Sequence, residues 1–289
     1  MKKSEISPWI SGTLIAGALG LLWLLERRRP LRRGVEPGLQ RKTRNLAVAG
    51  IAAATLQAIE RPIAQPLTAL VERRRWGVLK LLGLPRWLEV TLAVVMMDYT
   101  LYLWHVLTHR LPFLWRFHIA HHVDLDLDVS TGLRFHSGEL AFSTGWRAAQ
   151  ILLIGVSPDA LSIWQVLTPL SVIFQHSNVR LSFALEHRLN RLVVTPRMHG
   201  IHHSIVREET NSNWSSGLTI WDWLHGTLRL NVPQEEIIVG LPAYRDPKDL
   251  GLLDVLALPF REQRSTWLLP GNGEPSRVPA PIKPDQLLP

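Results

Sequence analysis

The chain has 289 residues, 46% of them hydrophobic, with 12 Trp, a formal net charge of +8 and no Cys. The lack of thiols excludes disulfides, thiolate zinc sites, iron–sulfur clusters and a thiolate-ligated haem, so any metal must be held by nitrogen and oxygen. The positive charge does not read as a nucleic-acid footprint, because arginines cluster beside apolar runs, at Arg27–Arg29 and Arg73–Arg75, as membrane flanks do.

Ile6–Leu25 is an uncharged run of 20 residues, long enough to cross about 30 Å of hydrocarbon as a helix. A cleaved signal peptide is the competing reading, but no small-residue cleavage site precedes the arginines, so the run is expected to be an anchor. Eight Lys/Arg between Arg27 and Arg44 mark the next loop as cytoplasmic. Asn45–Ile59 and Pro62–Val71 form either one kinked span or a span plus a re-entrant piece. Arg73–Arg86, with five Lys/Arg, is expected to lie in the interface. Its charge conflicts with placing it opposite the first loop, and the larger count in the first loop decides the orientation.

Leu88–Leu107 is the next span. Asp98, Tyr102, His105 and His109 fall at i, i+4, i+7 and i+11, one continuous helical stripe. Ionisable residues inside a membrane helix are costly and usually functional, so this stripe is expected to lead into a site at the membrane face. Leu140–Val156 and Ala160–Gln175, separated by Ser157-Pro158-Asp159, read as a hairpin that enters the bilayer and returns. The segments on either side of it, from His109 to His136 and from His176 to His203, then emerge on one side. The expected layout is one membrane-embedded domain, 1–268, with spans near 6–25, 45–71, 88–107, 140–156 and 160–175. Its cap comprises 108–139 and 176–268, and a disordered Pro-rich tail follows at 269–289.

The histidines carry the chemistry. His118, His121 and His122 form HxxHH, His199, His202 and His203 repeat it, and His105 and His109 form HxxxH. Positions i, i+3 and i+4 share a helix face, so three neutral nitrogens are expected to converge on one point. A lone His is more often a hydrogen-bonded core residue, but ligand spacing recurs three times here. Eight imidazoles exceed what one ion takes, which predicts two metals. His136 and His176, each at the mouth of a membrane segment, are further candidates as ligands or as groups behind ligands, against a reading as simple helix-end polar residues. His187 and His225 lack a partner at ligand spacing and read as surface or capping residues. Imidazole suits iron, zinc and copper alike. No Glu set of the soluble di-iron kind accompanies the His, and neither HxxHH carries the carboxylate base of HExxH, so a redox metal beside a lipid-filled site fits best.

In order and spacing these motifs resemble the fatty acid hydroxylase/sterol desaturase superfamily of integral-membrane di-iron enzymes. The resemblance runs from about Asp98 to Thr227. It takes in His105–His109, His118–His122, Arg134-x-His136-x-x-Glu139, Gln175-His176-Ser177-Asn178, Thr195-Pro196-x-x-His199-x-x-His202-His203 and Trp221-Asp222 before Gly226-Thr227. It implies an all-α, multi-pass membrane helix bundle with a cytosolic helical cap holding a polyhistidine dimetal site. It also implies O₂-dependent hydroxylation or desaturation of a lipid C–H bond by two Fe ions. Two departures stand out. Asn211-Ser212-Asn213-Trp214-Ser215 replaces the family's usual Asn-Tyr-Gly, and His225 replaces its usual Phe.

The expected protein is therefore a membrane di-iron oxidoreductase that acts on a fatty-acyl, alkyl or sterol-like substrate from the bilayer. Its metal site is expected on the cytoplasmic face, with hydroxylation favoured over desaturation. Asp98, Glu139 and Asp222 are candidates to orient ligand imidazoles through their second nitrogens, and Asn178 joins them as a support of the site. Tyr102 and Trp214 are expected to line the pocket or pack as ordinary aromatics. The chain shows no Gly-rich nucleotide fingerprint, so the reductant is expected to be a separate electron-donor protein, docked by cytoplasmic arginines. No nucleic-acid partner is expected. The alternative reading is a non-redox zinc enzyme, or a membrane metal-handling protein, using the same histidines.

Overall fold

The computed structural model describes residues 6–271 and 273–277. Among them the regular structure is helical, and β-pairing is limited to three isolated bridges, Pro30 with Val179, Val193 with Leu218 and Ser204 with Val239. The uncharged N-terminal run forms α1 (Pro8–Arg28), which starts with Pro8 in its first turn, where a missing N–H costs nothing. It ends in arginines, and Pro30 forbids another turn. Its face is bare of protein, with Trp9 86% and Leu21 58% exposed, as expected for a helix solvated by lipid.

α2 (Gly38–Thr55) and α3 (Arg61–Arg74) form one helical passage joined by a π-turn, Leu56–Glu60. The two alternatives for this stretch thus resolve to a single irregular helix. Pro62 has no N–H to give the preceding turn, and the Arg61 N–H reaches back five residues to Leu56 O. Glu60, which interrupts the apolar run, is buried against Arg147 at 3.8 Å, so its charge has a partner inside the bundle. After the short α4 (Val78–Leu81) comes α5 (Arg86–Arg110), the stripe-bearing helix. α1, the Gly38–Leu81 stretch and α5 are the helices long and apolar enough to cross a membrane. Between α4 and α5 two of the five basic residues are neutralised: Lys80 meets Glu89 at 2.6 Å, and Arg86 meets Asp159 at 2.7 Å.

α6 (Pro112–His122) carries the first HxxHH. A helical hairpin forms where one was expected, as α7 (Ser137–Gln150), extended by a π-turn at Ile151–Gly155, and α8 (Pro158–His176), although neither is among the helices long and apolar enough to cross a membrane. α8 lies beside α1 from end to end: Ile6 N–H donates to Ser162 Oγ, and Arg180 N–H donates to Arg29 O. The Arg86–Asp159 pair ties the starts of α5 and α8 together. α1, α5 and α8 therefore run in one direction, and α2–α3 and α7 return. At the far end Gly77 and Gly155, both at positive φ (95° and 91°), touch backbone to backbone, and a Cβ on Gly77 would lie 2.2 Å from Gly155 N. An apolar core of Val71, Leu79, Met97, Ile151, Ile154 and Trp164 fills that end.

The described residues after His176 fold over the opposite, near end, through α9 (Phe183–Leu189), α10 (Pro196–His202), α11 (Arg207–Thr210), α12 (Ile220–Leu224) and α13 (Leu252–Ala257). A second core, including Val48, Ile119, Val123, Leu241, Tyr244 and Val255, joins this layer to α2 and α6. Of the expected Pro-rich tail, Arg277 is described and pairs with Glu209 at 2.6 Å and with Glu236 at 2.8 Å; residues 278–289 lie outside the described residues. Because the loop after α1 and the segment after α8 meet at the near end, reporters fused after Arg33 and after Asp246 should give the same sidedness in intact cells. Opposite readouts would mean that α7 and α8 do not return the chain to its starting side.

Candidate metal centre

The near end of the bundle gathers nine imidazoles into two groups. One comprises His105, His109, His118, His122 and His202; the other comprises His121, His176, His199 and His203. Within each group the candidate ligand nitrogens lie within 4.8 Å of one another. All nine are buried except His109, which is partly so.

The three nitrogens of an HxxHH motif do not meet at one point, as the spacing alone had suggested. With about 100° per residue, i and i+4 point within roughly 40° of each other, whereas i+3 lies about 60° to the other side of i. On α6, His118 and His122 therefore enter the first group and His121 the second. α10 mirrors this, with His199 and His203 in the second group and His202 in the first. α5 supplies His105 and His109 from its stripe, and the last residue of α8, His176, completes the second group. The groups adjoin, the rings of His122 and His203 stacking at 4.4 Å.

The outer nitrogens reveal the tautomers. His105 Nδ1 donates to Trp214 O (2.7 Å), His202 Nδ1 to Ser212 O (2.8 Å), His121 Nδ1 to Arg134 O (3.2 Å) and His176 Nδ1 to Val172 O (2.7 Å). A carbonyl only accepts, so each of these imidazoles carries its proton on Nδ1 and turns a bare Nε2 lone pair inward. His118 Nδ1 donates likewise to Glu139 Oε1 at 3.0 Å. In the second group the lone pairs of His121 and His176 face each other at 3.0 Å, with His199 Nε2 2.9 Å from His176 and His203 Nε2 3.1 Å from His199. Two lone pairs at that separation repel unless a cation lies between them. Nitrogens around a tetrahedral ion at 2.0–2.1 Å would stand about 3.3 Å apart. In the first group the Nε2 atoms of His109, His118, His122 and His202 are buried with no hydrogen-bond partner, a cost that coordination removes. The donor set therefore fits metal ions. Burial, reinforced by neighbouring imidazoles, holds His121, His122, His199 and His203 well below the ordinary imidazole pKa. Burial lowers His202 to about 3. At neutral pH these rings are uncharged, the form that binds a metal.

The remaining candidates take other places. His136 lies outside both groups: its Nδ1 accepts from Gly138 N–H, capping α7, and its Nε2 donates to Leu256 O. Asp98 accepts from Leu218 N–H (3.0 Å) and Trp221 Nε1–H (2.7 Å), clamping the cap to α5 rather than touching an imidazole. A Cβ on Gly217 would lie 2.2 Å from its carboxylate. Asp222 accepts from Trp214 N–H and Ser215 N–H, so it shapes the loop whose Trp214 carbonyl holds His105. Asn178 pairs with the backbone of Arg32 at 2.8 and 2.9 Å, tying the α1–α2 loop to the end of α8. Tyr102 OH lies 3.2 Å from Thr227 Oγ1, and the buried Trp214 packs against His109. His225 stands near Tyr99 OH (3.2 Å), and His187 beside Arg191.

The sequence reading passed over the support beneath the second group. Arg134, whose carbonyl holds His121, is fully buried, and its guanidinium lies 3.2 Å from Asp124. Asp124 also takes both Arg41 Nε (2.8 Å) and Arg41 Nη2 (2.9 Å), while Arg41 Nη1 reaches Asp128 (2.7 Å). Burial works to raise the Asp124 pKa, but Arg41 and Arg134 overcome it and hold the carboxyl well below its usual range. The Asp-x-Asp-x-Asp run directly after the first HxxHH was the available signal. Removing the carboxylate that holds His118, as in Glu139→Ala, should weaken metal retention against a chelator by about 10–100-fold, measured as bound metal after dialysis. Unchanged retention would show that His118 needs no such partner.

A family model described as "Fatty acid hydroxylase" matches residues 90–227. Ornithine lipid hydroxylase OlsE of Rhizobium tropici is 34% identical over 177 residues, covering 61% of this chain and 51% of that protein. Alkylglycerol monooxygenase of Homo sapiens is 28% identical over 171 residues, covering 57% of this chain and 36% of that one. Cholesterol 25-hydroxylase of Rattus norvegicus is 24% identical over 154 residues, covering 53% and 50% respectively. The chain thus spans about half the length, or less, of these relatives. No solved structure matches it.

Proposed function

We propose, from the fatty acid hydroxylase model over residues 90–227 and the 34% identity to the ornithine lipid hydroxylase, that the chain is a member of the fatty acid hydroxylase/sterol desaturase superfamily and a membrane di-iron oxidoreductase that hydroxylates an apolar lipid with O₂. The observation that carries this reading is the pair of buried imidazole groups, inward lone pairs and all, at one end of a bundle whose helices are apolar enough for a bilayer. Bound iron would supply O₂ activation and attack on an unactivated C–H, with the balance R–H + O₂ + 2e⁻ + 2H⁺ giving R–OH + H₂O. The protein's own groups do the positioning. Glu139 and the carbonyls of Trp214, Ser212, Arg134 and Val172 keep protons on Nδ1, so that each ring offers only Nε2. Burial keeps water from the oxidant.

The two imidazole groups lie at the ends of α5 and α8, so a substrate reaching metals held there from the bilayer would present an apolar chain or ring with its oxidised carbon near the interface. The relatives named for hydroxylation of ornithine lipid and cholesterol, and for alkylglycerol monooxygenation, support hydroxylation over desaturation. The two electrons come from a separate donor protein. The arginine-rich loop after α1 supports a cytoplasmic near end, within reach of that donor. The test compares lipid extracts from cells with active and metal-dead protein under ¹⁸O₂. One labelled oxygen gained by a lipid is the expected result; loss of two hydrogens without label would indicate desaturation. No lipid change with a working reductant, together with stoichiometric zinc and no iron in the purified protein, would replace this reading with the zinc alternative.

A further inference from the structure

Where α1 leaves its apolar run, the chain forms an open cavity of about 560 Å³ lined by Arg28, Arg29, Pro30, Arg180, Leu181 and Ser182. We propose that this cavity binds the phosphate of an anionic phospholipid, at a site distinct from the metal groups and independent of their chemistry.

The first argument is charge without a partner. Other basic residues of this end, Arg41, Arg44 and Arg134 among them, are spent on Asp124. Arg28, Arg29 and Arg180 make no ion pair with a carboxylate among the described residues. Arg28 and Arg29 are exposed. Arg180 is held in place, its backbone N–H on Arg29 O (2.8 Å) and its Nε–H on Pro30 O (3.1 Å), so a cation is positioned beside the other two with nothing to neutralise it. Three arginines lining one cavity call for a multiply bonding oxyanion, and phosphate suits the guanidinium fork.

The second argument is depth. The cavity opens at the end of a lipid-facing helix, one residue past Arg27, whose guanidinium lies over the Trp23 ring (4.9 Å) in the manner of an interfacial anchor. The segment that supplies Arg180 continues into α9 with Phe183 76%, Leu185 44% and Leu192 68% exposed, interspersed with Arg188 and Arg191. A basic surface studded with bare apolar side chains, continuous with a membrane helix, matches an acidic lipid headgroup above acyl chains better than an acidic protein.

The experiment uses the full-length protein in nanodiscs of phosphatidylcholine with a minor fraction of phosphatidylglycerol, with retained lipid quantified by native mass spectrometry. Wild-type protein should retain phosphatidylglycerol well above its share of the bilayer. Arg28→Gln/Arg29→Gln, at two exposed positions that leave folding intact, should cut that enrichment roughly 30-fold, at about a few-fold to tenfold per cation near the surface. Arg73→Gln/Arg74→Gln, which removes equal charge at the far end, should leave it unchanged. Three outcomes would overturn the proposal: no enrichment in the wild type, equal loss in both double variants, or complete displacement by inorganic phosphate, which would mark a soluble-anion site. Retention only when an acidic protein is present would overturn it as well, in favour of a protein-docking face.

Discussion

His202→Ala/His203→Ala is expected to abolish lipid oxidation and to leave the purified protein with little bound metal. These neighbours point into different groups, His202 with His105, His109, His118 and His122, His203 with His121, His176 and His199. One double substitution therefore takes a ligand from each metal position. The loss should exceed the ~10–100-fold that supporting residues command. His136→Ala serves as the contrast, because His136 caps α7 and touches neither group, so metal content should survive its removal. Full lipid oxidation by the double variant would sink the assignment of both groups, and metal loss in His136→Ala would show that His136 is a ligand after all.

The second large effect falls on stability. Asp124 is fully buried, accepts from Arg41, Arg44, Asn45 and Thr131, and pairs with Arg134 at 3.2 Å. Asp124→Ala leaves the buried Arg134 guanidinium without a counter-charge and takes one of two carboxylates from Arg41, a change that typically costs about 3–5 kcal/mol. The expected result is a markedly lower melting temperature in detergent, followed by size-exclusion chromatography of heated samples. Asp124→Asn should fall between, since it keeps the shape and part of the hydrogen bonding. The pH dependence has a definite sign. The folded carboxyl titrates below its unfolded value of about 3.9, so its contribution is complete above that pH and is lost only as the pH falls toward the lowered folded value. A variant melting with the wild type would show that the arginines are satisfied without Asp124.

Much of the centre is legible in the chain because helical spacing is a local property. HxxxH and the two HxxHH motifs name eight of the nine grouped imidazoles without any knowledge of the fold. The uncharged and stripe-bearing runs likewise announce α1 and α5. What spacing does not carry is direction relative to a neighbour. The splitting of each HxxHH between two groups follows only once α6 and α10 face each other, and His176 has no partner within its own helix. Asp98 and Asn178 look like ligand supports on the same grounds as Glu139, yet their partners are Trp221 and Arg32, 123 and 146 residues away in sequence. Gly200, unremarked inside the second motif, has no room for a side chain because Arg32 lies against it, where a Cβ would come within 1.7 Å of the guanidinium. Such contacts between the first loop and α10 are long-range facts, and no window of sequence contains them.

The way α6 and α10 each divide their imidazoles has a consequence for biogenesis. Neither group is completed by one helix: the first has four imidazoles once α5 and α6 are made and lacks only His202, whereas the second depends on α10 for half of its nitrogens. Before α10 is made, the second group consists of His121 and His176 alone, two nitrogens with no means of enclosing an ion. Completion of the second group is accordingly a late event. It follows insertion of the membrane helices and coincides with the docking of α10, which makes ion uptake a final quality check on a correctly assembled chain.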